Sequence, residues 1–197
     1  VASTLERNKT EKLVINLQEL DCTTLVENVL ALTLCAKTKQ YTFKQFCTFL
    51  QKIRYDNGVI SYPTRLHYFS EWINDNTKQG FVKEINTPNP PFKSQQILDL
   101  HYMSTQHHKY PMLVQNPSWI KEIRTMEQMV SGKTVNYIPK GILNNSSLIK
   151  DIIKDGDIIA IVTAKKGLDT SHIGFASWHN GQLHLLNASR IRGKVVD

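Results

Sequence analysis

The sequence predicts an α+β fold in which helices come first and an antiparallel sheet comes last. Over residues 22–34, apolar side chains recur at helical spacing with no glycine or proline to interrupt them. Near the other end of the chain, three short runs typical of strands are separated by turn signals, of which Asp155-Gly156 and Asn180-Gly181 are the strongest. We therefore expect one domain, with a helical part over about 1–154 and a sheet part over about 155–197, in which the first helix packs on the sheet.

The composition is that of an ordinary globular protein. Of the 197 residues, 41% are apolar and 21% are charged, which is enough apolar content for a sizeable core. No run is long enough to span a bilayer, and the first residues show no signal-peptide pattern. The net charge of +7 does not indicate a nucleic-acid partner, because the basic residues form no run with interleaved aromatics. The oligomeric state stays open.

Cys22 is the candidate nucleophile. Asp21 is a good helix N-cap, so Cys22 would lie at the first helical position. There, free backbone N–H groups and the positive end of the helix dipole favour a thiolate, the form that attacks carbonyls. The alternative is an unreactive core residue, since free cysteines often behave as small hydrophobes. Cys35 and Cys47 lie within apolar helical patterns, and we expect both in the core.

The residues that could activate this thiol lie in the predicted sheet. Strands over 172–178 and 182–187 flank Asn180-Gly181, the strongest short hairpin signal. Because the start of one hairpin strand lies beside the end of the other, His172 and Asn187 should be close together. A cysteine, a histidine that takes its proton and a polar residue that orients the imidazole form the general nucleophile–base–orienter arrangement.

Two residues compete for the orienting role. Asn187 lies at the end of the second strand, and His184 lies three positions earlier. An odd spacing along a strand places two side chains on opposite faces of the sheet. The alternation therefore favours Asn187 over His184.

Several motifs occur in a fixed order along the chain. Asp21-Cys22-Thr23 begins a helix, His172-Ile173-Gly174-Phe175 lies on a strand, and Leu185-Leu186-Asn187-Ala188-Ser189 lies on the next. This order resembles the NlpC-type cell-wall hydrolases, which are papain-like cysteine amidases. Two further stretches, Arg54-Tyr55-Asp56-Asn57-Gly58 and the run over 61–73, resemble more narrowly the branch described as N-acetylmuramoyl-L-alanine amidase-like.

The resemblance implies a papain-like fold and hydrolysis of the amide between N-acetylmuramic acid and L-alanine, in peptidoglycan or in muropeptides. Cys22 would be the nucleophile, His172 the general base and Asn187 the third residue, with neither metal nor cofactor. The branch more often has histidine at the third position, whereas papain uses asparagine. The resemblance further implies a periplasmic or secreted protein and a chain that lacks segments at both ends, including strands beyond the third.

The same resemblance assigns four further residues to the substrate cleft or to its scaffold: Asp21, Arg65, His67 and Tyr68. The lysine pair Lys165-Lys166 lies in the loop before the predicted base. Such a pair is usually a solvated loop, but beside a cleft it would attract the carboxylates of a stem peptide.

Two other patterns do not indicate sites. His107-His108 does not form a metal site, because adjacent histidines point apart and no carboxylate has ligand spacing to them. Gly132-Lys133-Thr134 lacks the earlier glycine of a phosphate-binding loop, since Glu127 stands there. The prolines over 86–92 predict a rigid surface loop.

Two other functions stay open at this point. One is an endopeptidase that cuts within the stem peptide. The other is a wall-binding module whose site no longer turns over. Product analysis separates the first from the amidase, and selective labelling of the candidate thiol tests the second.

Overall fold

The structure is a computed structural model that describes residues 4–85, 91–143 and 146–197. Most of the predicted proline-rich loop, residues 86–90, lies outside this description. The helices are α1 (Cys22–Lys37), α2 (Phe43–Arg54), α3 (Phe69–Lys78), α4 (Tyr102–Thr105), α5 (Pro111–Gln115), α6 (Trp119–Val130) and α7 (Ser146–Lys150). The strands are β1 (Ser94–Ile97), β2 (Thr134–Tyr137), β3 (Ile158–Val162), β4 (Thr170–His179), β5 (Gln182–Ser189) and β6 (Lys194–Val196).

The mixed α+β architecture predicted from the sequence is confirmed. Strands β3, β4, β5 and β6 form an antiparallel sheet in chain order, and β1 pairs with β2 in a separate ribbon. The predicted hairpin is present, with Trp178 opposite Leu183. Asn180 and Gly181 at its turn both have positive φ, as a two-residue hairpin requires. The strand β6 is an addition to the three predicted strands.

Helix α1 packs on the sheet through one apolar stripe. Val26 and Leu30 belong to the same core cluster as Ile173 and Phe175 of β4. The apolar pattern predicted over 22–34 includes Val29 and Leu32, but both of these side chains are exposed. Ala31 and Cys35 are buried in their place, since these positions continue the helix face that meets the sheet and α2.

Buried ionic contacts fix the N-terminal segment and α1 to α2. The Arg54 Nε donates to Glu27 Oε2 at 2.7 Å, and its Nη1 donates to the carbonyl of Val14 at 2.6 Å. Arg54 and Glu27 are 1% and 2% exposed, so removing either would leave an uncompensated buried charge. This pair anchors the N-terminal half of α1 to α2. The N-terminus of α1 itself faces a cleft.

A second core lies under α4, α5 and α6. Its buried members include Met103, Met112, Leu113 and Ile123, and Tyr68 joins it from the start of α3. Helix α6 contributes its buried face to this core. Within the described ranges, no helix is both long enough and apolar enough to cross a membrane.

Candidate functional site

A cleft of about 160 Å³ opens at the N-terminus of α1. Its walls come from residues 22–23, from the turn into α3 and from residues 168–173 at the start of β4. The cleft therefore brings Cys22 and His172 together, although 150 residues of chain separate them. It is smaller than a pocket for a whole drug-sized ligand, so it fits the part of a substrate around one bond.

The cap of α1 places Cys22 at the first helical position, as the sequence predicts. Asp21 is the N-cap, and its Oδ1 accepts from the Thr24 amide at 2.8 Å and from the Thr24 hydroxyl at 2.9 Å. In return, the Asp21 amide donates to Thr24 Oγ1 at 2.8 Å. This reciprocal pair is a capping box, with threonine in the position that glutamate often occupies. Asp21 thus positions the candidate nucleophile and does not line the cleft.

The expected preference for a thiolate is wrong for the free protein. Burial raises the pKa of the Cys22 thiol, and the neighbouring Asp21 carboxylate raises it further. The backbone amides of Ile173 and Thr23 act on the sulfur in the opposite direction and lower the pKa by less. The sequence shows the favourable helix terminus, but desolvation depends on what packs over the sulfur. Deprotonation of Cys22 therefore requires a base.

His172 and Asn187 form a direct hydrogen bond. The His172 Nε2 lies 2.8 Å from Asn187 Oδ1. The orientation of the amide is fixed by its other end, because Asn187 Nδ2 donates to the carbonyl of Leu185 at 2.7 Å. An amide oxygen only accepts, so Nε2 carries the hydrogen and Nδ1 of the neutral ring is the basic nitrogen.

Gly174 allows the two strands to come together at this point. A Cβ at position 174 would lie 2.6 Å from the carbonyl oxygen of Leu186 and 3.0 Å from the Cβ of Asn187. Any side chain there would push β5 away from β4. On its other side Asn187 pairs with Val196 of β6, so the unpredicted fourth strand also holds the residue in place.

His184 lies apart from this group, on the side that the strand alternation predicts. It stands opposite Ser177, and its ring contacts His179 edge to face, with centroids 5.0 Å apart. It does not line the cleft. The geometry therefore favours Asn187 as the partner of the imidazole.

Two of the residues assigned to the substrate cleft or its scaffold are internal. Arg65 is 5% exposed, forms an ion pair with Glu6 and lies 3.5 Å from a carboxylate oxygen of Glu11. Tyr68 is 2% exposed and donates from its hydroxyl to Glu127 at 2.6 Å. Both belong to the scaffold, and predicted substrate contact by Tyr68 does not fit its position.

His67 does line the cleft, together with Cys22 and His172. Its Nε2 lies 2.8 Å from the carbonyl oxygen of Tyr62. Burial, with the Arg65 guanidinium nearby, lowers the pKa of His67 to about 3. His67 is therefore a neutral imidazole at physiological pH.

Asp169 is a cleft residue that sequence reasoning missed. It is 4% exposed, and its Oδ2 accepts from the Ser70 amide at 2.7 Å while its Oδ1 accepts from the Thr170 amide at 2.6 Å. It thereby caps α3 from 99 residues away along the chain. One weak signal was available, because Tyr68 precedes α3 and offers no side-chain cap.

The lysine pair next to the cleft has a defined contact at one member. Lys165 Nζ donates to the Tyr102 hydroxyl at 2.9 Å and lies 4.3 Å from the centre of its ring. Lys109 Nζ approaches the same hydroxyl at 3.4 Å. Two cations thus meet at one partly buried tyrosine, a few residues from the cleft wall at Leu168.

No cluster of three histidine, cysteine or acidic side chains with metal-binding geometry occurs among the residues that the structure covers. Cys35 is buried and Cys47 is partly buried against the same core, as expected.

Comparisons with known proteins extend over the whole chain. The family model described as AmiA-like, N-acetylmuramoyl-L-alanine amidase-like, matches residues 1–197. A solved structure of an N-acetylmuramoyl-L-alanine amidase from Bacteroides uniformis is 43% identical, with a TM-score of 0.91 over 100% of this chain and 81% of that chain. No curated protein sequence is significantly similar.

Two other solved structures are similar. A Bacteroides fragilis protein, provisionally named a xylanase, is 45% identical, with a TM-score of 0.91 over 100% of this chain and 84% of that chain. A Legionella pneumophila protein of the DUF1460 family is 26% identical, with a TM-score of 0.72 over 97% of this chain and 72% of that chain.

Proposed function

Because this chain belongs to the AmiA-like, N-acetylmuramoyl-L-alanine amidase-like family, we propose that it is a papain-like cysteine amidase of the NlpC type. Its substrate is the amide between N-acetylmuramic acid and L-alanine, in peptidoglycan or in muropeptide fragments. The domain acts as one unit and needs neither metal nor cofactor. A peptidoglycan substrate also favours a periplasmic or secreted location.

One observation carries the proposal. The bond of 2.8 Å between His172 Nε2 and Asn187 Oδ1 leaves Nδ1 as the basic nitrogen of a ring that shares its cleft with Cys22. The backbone amide of Ile173, the residue after His172, acts on the Cys22 sulfur. Nucleophile, base and orienting residue are therefore neighbours in space.

Acylation begins with transfer of the Cys22 proton to Nδ1 of His172. The sulfur attacks the amide carbonyl and forms a C–S bond, while the carbonyl oxygen takes the negative charge. The free backbone N–H groups at the start of α1 stabilise that charge, an effect typically worth about 3 kcal/mol per donor. The C–N bond then breaks, and the imidazolium gives its proton to the departing L-alanine amine.

Deacylation repeats the proton transfers with water. Neutral His172 takes a proton from water as its oxygen attacks the thioester. The C–S bond breaks, and the proton returns to the Cys22 sulfur, so the carboxylic acid leaves and the resting thiol is restored. The raised pKa of Cys22 fits this sequence, because the thiol stays protonated until His172 accepts its proton.

The xylanase name of one relative points to another reaction, but the cleft does not favour it. Glycoside hydrolysis generally uses two carboxylic side chains that face each other across the bond. Among the described cleft residues, Asp169 is the only carboxylate, and both of its oxygens accept backbone amides. Amide hydrolysis by Cys22 therefore fits the cleft better.

Mass spectrometry of purified muropeptides tests the proposal. The unmodified protein, Cys22→Ala and Cys47→Ala are each incubated with muropeptides in the presence of a chelator. We expect a free peptide that begins with L-alanine from the unmodified protein and from Cys47→Ala, but none from Cys22→Ala. Cys47 is a suitable control because it is a partly buried cysteine away from the cleft.

The other functions give different products in the same assay. A shorter peptide that lacks L-alanine would identify an endopeptidase. Unchanged muropeptides that nevertheless bind to the protein would identify a wall-binding module. Peptide release from Cys22→Ala would overturn the assignment of the nucleophile.

A further inference from the structure

The tautomer of His67 is fixed by its surroundings. Its Nε2 lies 2.8 Å from the carbonyl oxygen of Tyr62. A carbonyl oxygen can only accept, so Nε2 carries the hydrogen and Nδ1 carries a lone pair. The Tyr62 ring supports this orientation, because its centroid lies 4.7 Å from that of the imidazole.

The charge state of the ring is fixed as well. Arg65 lies with its guanidinium 4.7 Å from the centre of the Tyr62 ring and is held there by Glu6 and Glu11. Burial of the imidazole and, to a smaller extent, the positive charge of Arg65 oppose protonation of His67. Nδ1 of His67 therefore carries a lone pair at neutral pH.

This acceptor has no partner within the described part of the chain, where the hydrogen bond to Tyr62 is the only one that the imidazole makes. Its residue is a wall of the cleft that holds Cys22 and His172. His67 Nδ1 therefore offers a lone pair in the cleft that also contains the candidate nucleophile. Such a lone pair can accept a hydrogen bond from a donor group of the substrate. A protonated histidine at this place would repel such a donor, which gives the buried Arg65 a second role.

We propose that His67 Nδ1 binds the substrate by accepting a hydrogen bond from an N–H or O–H group next to the scissile amide. The inference rests on the proposed function for the identity of the substrate. The donor is either an amide N–H of the stem peptide or a hydroxyl of the sugar. His67 is thus a binding residue, whereas His172 moves protons.

A matched pair of variants distinguishes the hydrogen-bond acceptor at His67 Nδ1 from the contact that His67 makes with Tyr62. The substitution His67→Gln places an amide nitrogen near the position of Nε2, which keeps the donor to Tyr62 but removes the acceptor. The substitution His67→Asn keeps an oxygen near the position of Nδ1 and loses the contact with Tyr62. Both variants are made in the Cys22→Ala background, so that binding is measured without turnover.

Calorimetry with N-acetylmuramoyl peptide measures the effect on binding. We expect His67→Gln to weaken binding about tenfold and His67→Asn to weaken it less than about threefold. Equal losses in both variants, or no loss in either, would overturn the proposal. A purely structural role would instead lower the melting temperature most in His67→Asn, which loses the bond to Tyr62.

The source of the donor is found by repeating the titration with the stem peptide alone. If the difference between the two variants persists, the donor is a peptide amide, and if it disappears, the donor is on the sugar. Nitrogen-15 NMR of labelled histidine gives an independent reading, because the Nδ1 resonance of His67 should shift when ligand binds. No shift on saturation with ligand would contradict the inference.

If the proposed function is wrong, the two assays give a different combination of results. In that case the unmodified protein releases no peptide that begins with L-alanine, while the binding difference between the two variants is still measurable. Conversely, peptide release by the unmodified protein, with equal binding by the two variants, overturns the role of His67 alone.

Discussion

The two walls of the cleft each present a histidine, and the two rings have different surroundings. On the sheet wall, His172 donates to the side-chain amide of Asn187. On the helical wall, His67 donates to a backbone carbonyl beside the buried Arg65. The same side chain is therefore suited to proton transfer in one wall and to a permanently neutral contact in the other.

This contrast shows what makes a histidine a base. Both rings have the same tautomer, so the tautomer alone does not distinguish them. The difference lies in their surroundings, because burial of the His67 ring, together with the nearby positive charge of Arg65, opposes an imidazolium at that position. The following changes test this contrast, from the largest expected effect to the smallest.

Replacing the proposed base should give the largest effect. We expect His172→Ala to lower kcat about 10³-fold, because His172 takes the Cys22 proton and returns it to the amine in the proposed mechanism. The melting temperature should change little. Kinetics of peptide release, measured against His184→Ala as the control on the opposite face of β5, will check this. Comparable losses in both variants would return His184 to consideration.

The close approach of β4 and β5 should be the next most sensitive feature. Gly174→Ala places a Cβ against the carbonyl of Leu186 and the Cβ of Asn187, which should cost about 2 kcal/mol of unfolding free energy and about 10²-fold in activity. Gly141→Ala is the control, since a Cβ there meets nothing within 4 Å. Chemical denaturation and peptide release measure the two quantities. Full activity in Gly174→Ala would show that the bond between His172 and Asn187 is dispensable.

The acid sensitivity of the fold should report the suppressed charge on His67. Because its pKa falls from 6.5 to about 3 on folding, the unfolded state binds more protons below pH 6.5. The unfolding free energy should therefore fall as pH drops, by about 1–2 kcal/mol between pH 6.5 and 5, and His67→Gln should remove this dependence. Denaturation at several pH values measures it.

Glu71 provides a control, because its contribution to the unfolding free energy should change with pH in the direction opposite to that of His67. Burial, with Asp56 and Asp75 nearby, raises the pKa of Glu71 to about 7. Its folded state therefore binds more protons, so the stability it contributes is present below pH 4.5 and is lost as pH rises through about 7. Glu71→Gln should stabilise the protein at about pH 8 and leave the acid side unchanged. The same pH dependence in both variants and in the unmodified protein would contradict the burial of these two groups.

The smallest expected effect concerns the charge next to the nucleophile. Asp21 raises the pKa of Cys22, so removing its charge should increase the thiolate fraction and speed labelling by iodoacetamide about two- to fivefold at pH 7. Both Asp21→Asn and Asp21→Ala remove the charge, but only alanine loses the cap and about 1 kcal/mol of stability. Slower labelling of both variants would contradict the assigned sign.

Cys35 and Cys47 serve as internal references in the labelling experiment, since both contribute to the α1 and α2 core. Cys22 should label faster than either because it lies in an open cleft. Its rate should keep rising with pH above about 8, as expected for a thiol whose pKa is raised.

Local signals in the sequence determined a large part of this protein. The Asp21 cap, the start of α1 at Cys22 and the turn at Asn180-Gly181 each depend on a few neighbouring residues. The hairpin then brings His172 and Asn187 together, because a tight turn fixes the register of its two strands. Candidate nucleophile, base and orienting residue were therefore accessible to sequence reasoning, and their catalytic roles stay predictions.

Only the tertiary structure decided the properties that depend on burial and on distant partners. It turned the expected low pKa of Cys22 into a raised one, placed Tyr68 in a core and Asp169 in the cleft, and fixed His67 as a neutral acceptor. Desolvation and long-range hydrogen bonds depend on which segments pack together, and no short stretch of sequence records that information.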